Sequence, residues 1–102
     1  MKIVKLLLLS TLLVTLAALP AERINHSATL KWTRPVGNYD HFNIYRQDCS
    51  SGNFIYIKNV GGVFYWIDNA VIGGETYKYK IRTVYKGTES KDSNIVSKVI
   101  PY

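Results

Sequence analysis

From Tyr77 to Tyr85 the sequence YKYKIRTVY alternates: Tyr77, Tyr79, Ile81 and Thr83 fall on one side, Lys78, Lys80 and Arg82 on the other. A period of two belongs to an extended strand, whose successive side chains point to opposite faces. The same pattern recurs in shorter pieces. Ala28–Thr33 puts Ala28, Leu30 and Trp32 on one face, and His41–Gln47 does the same with Phe42 and Ile44. Phe54–Val60, Val63–Asp68 and Asn94–Ile100 read as further strands, and clusters of Gly, Asn, Ser and Pro separate the runs. Gly61-Gly62 between Val60 and Val63 reads as a tight hairpin turn, and Lys86–Ser93 as a polar loop. Six short strands with frequent turns predict an all-β antiparallel sandwich, with no helix after residue 21.

Composition narrows the class. With 102 residues, 47% of them hydrophobic and 20% charged, the chain is one small domain and not a disordered one. One cysteine excludes a disulfide scaffold, and only two histidines exclude the usual Cys/His zinc arrays. No cofactor is expected.

The start of the chain has a targeting layout. Lys2 and Lys5 precede an apolar run, Leu6–Leu19, which ends at Leu19-Pro20-Ala21. A positive start, a short apolar stretch and a small residue make a secretory signal peptide, and the run is short for a permanent span of roughly 20 residues. The expected division is 1–21 signal peptide and 22–102 folded domain, secreted to the periplasm or outside the cell. Removing residues 1–21 takes two lysines and no acid, so the net charge falls from +6 to +4.

Leu30-Lys31-Trp32, Phe42-Asn43-Ile44-Tyr45-Arg46, Trp66-Ile67-Asp68, Gly74-Glu75-Thr76-Tyr77-Lys78-Tyr79 and Gly87-Thr88-Glu89-Ser90 follow one another in an order that resembles the fibronectin type III domain, in its bacterial form. The likeness runs from Ala28 to Ile100. It implies an immunoglobulin-like sandwich with strands A, B and E in one sheet and C, C′, F and G in the other. It also implies a corner role for Tyr77, with Val71 as its apolar partner. The family carries about ten residues of strand A before strand B, whereas only Glu22–Ser27 would remain after cleavage. Strand A is therefore short around Arg23–Asn25, or missing, or drawn from Val14–Leu19 within the apparent signal.

No residue here is expected to catalyse. His26 and His41 are far apart in sequence with no ligand spacing around them and read as surface residues. Asp68 and Glu75 are read as structural rather than as a carboxylate pair, since the resemblance implies that Asp68 ends strand E and bonds backbone amides in the following turn, and Trp32, Trp66, Tyr77 and Tyr79 are read as core. Cys49 sits in a turn, either as a free thiol or in an intermolecular disulfide. The binding candidates are Lys78, Lys80 and Arg82 beside Tyr45, with Lys98 extending the patch; the same lysines also suit a merely soluble strand face. The resemblance implies a secreted, non-catalytic binding module for a protein or glycan, or else a structural or strand-exchanging part or a fragment of a larger extracellular protein. Nucleic acid is not expected. An uncovered strand B edge, Ala28–Thr33, would allow self-association.

Overall fold

The computed structural model of the chain describes Val4 and residues 6–8, 25–48 and 52–102. Eight strands follow in order: β1 Leu6–Leu8, β2 Ala28–Trp32, β3 His41–Gln47, β4 Ile55–Val60, β5 Tyr65–Asp68, β6 Thr76–Tyr85, β7 Thr88–Glu89 and β8 Val96–Val99. They form two sheets, β1-β2-β5 and β4-β3-β6-β7 with β8 also on β6, and all pairings are antiparallel. This is the all-β immunoglobulin-like sandwich, with the sheet membership that the resemblance implies.

The alternation seen in the sequence is what lets the sheets close on each other. Leu30 and Trp32 of β2, Phe42 and Ile44 of β3, and Tyr77, Tyr79 and Ile81 of β6 are buried between the layers. Trp32 meets Phe42 edge-on at 5.4 Å, and Tyr39 stacks on Phe42 at 5.3 Å. Each such ring contributes a few kcal/mol by leaving water, about 25 cal/mol per Å² of apolar surface. Trp66 is only half-buried and packs against this core from its margin. His26 is also half-buried, and its Nε2 is buried without a hydrogen-bond partner among the described residues.

Three expectations change. Gly61-Gly62 does not close a hairpin, because β4 and β5 belong to different sheets and the glycines carry the chain from one layer to the other. Only Gly62 has a positive φ, whereas the tightest two-residue hairpin turn needs two. That geometry occurs instead at Lys86-Gly87, φ 49 and 77, which joins β6 to β7 inside the segment read as a polar loop.

The third change concerns strand A. Among the described residues the first strand is Leu6–Leu8, inside the apparent signal; the expected Val14–Leu19 and Arg23–Ile24 lie outside the described residues. Asn25–Ser27 form no strand. Leu6 pairs with Trp32, Leu7 with Lys31 and Leu8 with Leu30, so the edge of β2 is covered at its far end. Val4 and Leu6 are 1% and 2% exposed. Cys49, too, is outside the described residues.

Candidate functional site

The outer face of the five-stranded sheet gathers most of the binding candidates. Strands β3 and β6 are neighbours in a register that sets Tyr45 opposite Lys80, Asn43 opposite Arg82 and Gln47 opposite Lys78. On the other side of β3 the register skips Ile57, a bulge that sets Tyr56 of β4 opposite Tyr45. The two tyrosine rings meet edge-on at 5.9 Å, and Tyr56 is 52% exposed.

Two of the cations on this face, Lys80 and Arg82, are already engaged. Arg82 donates from Nε to Asp92 at 2.7 Å and from NH1 to Glu89 at 2.9 Å, and Lys80 donates to Asp92 at 3.0 Å. Glu89 also accepts from the Tyr45 hydroxyl at 2.5 Å and from the Asn43 amide at 2.7 Å. The Arg82 guanidinium lies 4.7 Å from the centre of the Tyr45 ring, and the Lys80 ammonium 4.5 Å from that of Phe54. The Tyr45 bond, joined by those of Asn43 and Arg82, holds the Glu89 carboxyl below its ordinary range despite partial burial. Arg82, helped by Lys80, does the same for Asp92. Burial, then Glu89, raises the Tyr45 phenol.

Two acids thus answer two cations, and what the face offers a ligand is flat aromatic and polar surface rather than a positive field. Lys78 is exposed on the same side. Lys98 is not part of the patch: it pairs with Tyr77, whose side chain faces the core, and is itself buried at 7% exposure.

The acids were not legible as partners. Glu89 and Asp92 lie in KGTESKDS, which has the composition of a solvated loop; only the turn at Lys86-Gly87 folds them back over Arg82.

The remaining candidates act in the fold. Asp68, 1% exposed at the end of β5, accepts from the Ala70 amide at 3.0 Å, the Tyr79 hydroxyl at 2.7 Å and Arg46 at 2.9 Å. Arg46 and Tyr79 belong to the opposite sheet, so this carboxylate ties the two layers together, a role the sequence did not disclose for Arg46. Burial opposes the charge on Arg46, but its bonds to Asp68 and Asp48 outweigh it and raise its pKa. Burial, then Asp68, pushes the Tyr79 phenol well above its usual range. The Tyr77 hydroxyl accepts from the Ile72 amide at 2.9 Å, beside buried Val71.

At one end of the sandwich an open depression of about 450 Å³ is lined by Arg34, Gly37, Asn38, Tyr39 and Tyr85. Among the described residues no group of three His, Cys, Asp or Glu could hold a metal ion. Among the described residues no helix is long and apolar enough to cross a membrane.

No protein-family model matches the chain. Over 73 residues it is 40% identical to an amylopullulanase of Thermoanaerobacterium thermosulfurigenes, a match that takes in 68% of this chain and 4% of that enzyme. Among solved structures, a Fn3-like protein from Clostridium thermocellum superimposes with a TM-score of 0.62 at 24% identity, over 76% of this chain and 77% of that one. A human FNIII domain gives 0.65 at 18% identity, over 76% and 68% of the two chains. A β-1,2-glucanase from Parabacteroides distasonis gives 0.65 at 23% identity, over 74% of this chain and 11% of that enzyme. These likenesses, with the sheet order and the tyrosine corner, define the class: the chain has the fibronectin type III fold.

Proposed function

We propose that the chain is an exported, non-catalytic fibronectin type III module that binds a glycan chain through the outer face of the five-stranded sheet. The observation that carries this reading is the charge-compensated platform around Tyr45, where exposed Tyr56 stands beside a polar network. A flat aromatic with hydrogen-bonding neighbours suits the apolar face and hydroxyl rim of a sugar ring. The names of two proteins that resemble this chain, an amylopullulanase and a β-1,2-glucanase, support a polysaccharide setting for this reading. Asp68 is held by three donors in the core and Glu89 by three at the surface, which gives both carboxylates a structural role in this reading.

Affinity electrophoresis through gels carrying pullulan, amylopectin or a β-glucan tests the reading. Migration of the exported protein should slow in at least one, equally at low and high salt, and Tyr56→Ala should abolish the retardation. Loss of binding with salt and with Lys78→Ala, while Tyr56→Ala binds normally, would instead assign the face to an anionic partner. Export itself predicts a product that begins at Glu22, read by intact mass. A second reading, a module cut from a larger extracellular protein, is favoured by the 4% of the amylopullulanase that the match covers. The mass of the native product in its source cells separates the two.

A further inference from the structure

The strand that covers the edge of β2 comes from the segment that export removes. Its seat is built in three parts. One side is the ladder to Leu30, Lys31 and Trp32 of β2. The floor is the hydrophobic core itself, the cluster of buried residues that holds Val4 and Leu6 together with Leu30, Trp32 and Ile100. The third part is a side chain. Asn94 accepts from the Leu6 amide at 2.9 Å and donates to the Leu6 carbonyl at 3.1 Å, so it answers the outward backbone groups of Leu6 as a neighbouring strand would.

Residues 22–27, which would precede β2 after cleavage, cannot put an apolar pair back there. Paired residues of neighbouring strands share a face. A two-residue turn at 26–27 would set Arg23 opposite Leu30 and turn its charge toward the core; a three-residue turn at 25–27 would do the same with Glu22. A longer turn would not reach Leu30, and none of the three brings residues 22–27 opposite Trp32. Cleavage would therefore leave an apolar slot, an unpaired strand edge and an asparagine without its backbone partners.

We propose that the β1 position is an acceptor slot. Once residues 1–21 are gone, it takes an extended strand of another polypeptide, laid antiparallel on β2 and gripped by Asn94. The occupant carries apolar residues of the valine or leucine kind at two alternate positions, as Val4 and Leu6 do. Backbone pairing supplies the attraction and the two sockets the selectivity, the general logic of recognition by strand addition. A second mature copy is a poor donor, because its own β2–β8 are committed to its core. The proposal rests on the leader reading above, but not on the sugar-binding face.

The test uses the full chain with a protease site introduced between residues 9 and 24. After cutting and removal of the N-terminal fragment, a dye-labelled synthetic peptide with the sequence of residues 1–8 is titrated by fluorescence anisotropy. Saturable binding is expected, insensitive to 0.5 M salt and at least tenfold weaker for a Leu6→Asp peptide. An Asn94→Ala chain should weaken it by a similar factor. Equal binding of the Leu6→Asp peptide overturns the proposal, as does an absence of binding to the stripped, folded chain. Should stripping unfold the chain, the peptide must restore its near-ultraviolet circular dichroism, and failure to do so counts against the slot. Intact mass of the exported product is read separately: a retained leader would overturn cleavage and leave the peptide result standing.

Discussion

Strand β2 has two neighbours, and they are held by different physics. On the β5 side, Asp68 is locked to Arg46 and Tyr79 of the opposite sheet, so that flank cannot open without stranding a buried carboxylate. On the β1 side, the described contacts are a three-residue ladder, two apolar side chains and one asparagine. The first flank is fixed by charge in the interior, where loss of a partner is expensive; the second by backbone pairing and packing, which another strand of similar shape could supply. One side of the sheet is therefore permanent and the other exchangeable.

The largest effect is expected from Asp68→Ala in the full chain, since it leaves the Arg46 guanidinium partly buried without its main partner. A loss of about 3–5 kcal/mol in denaturant unfolding is the expected outcome. Leu6→Ala, measured on the full chain without export, should cost about 2–3 kcal/mol, at the low end for a buried leucine because an edge strand can shift to close the gap. A cost for Leu6→Ala above that of Asp68→Ala would invert the comparison and make β1 the fixed side.

How much of this the sequence revealed follows from the range of the interactions. The period of two in β6 settles which residues face inward, so the core was legible, while the corner at Tyr77 and Val71 followed from the family resemblance. The β1 flank was not. Its partners Leu6 and Asn94 are separated by 88 positions, and a run of leucines is equally good as a leader and as an edge strand. Lys98 failed for a local reason: nothing in NIVSKVI says which of its alternate faces turns inward, and only pairing with Tyr77 decides it.

Tyr77→Phe sharpens the fixed side further. It removes only the oxygen that accepts from Ile72, and about 1–3 kcal/mol should be lost, seen as a lower denaturant midpoint with an unchanged slope. Coincident midpoints would show that the corner bond is idle.

The smallest effect is expected on the outer face. Arg82→Ala should change stability at neutral pH by less than about 1 kcal/mol, because its partners are partly exposed and salt screens the pairs. Its signature is in acid. Glu89 and Asp92 are held below their unfolded values, so their contribution is present above the ordinary carboxylate range and disappears as pH falls through the lowered folded values. Unfolding midpoints followed from pH 6 down to pH 2 should fall less steeply in Arg82→Ala than in the parent. Parallel curves would mean that the network contributes nothing to folding.

The bond between Leu6 and Asn94 also sets an order of events during synthesis. The seat of β1 needs a residue made 88 positions later, and contacts so distant along the chain close late. Until Asn94 has left the ribosome the leucine run has no complete pocket to enter. Throughout that interval Leu6–Leu8 are not yet claimed by the fold, so the export proposed above would act before β1 could close.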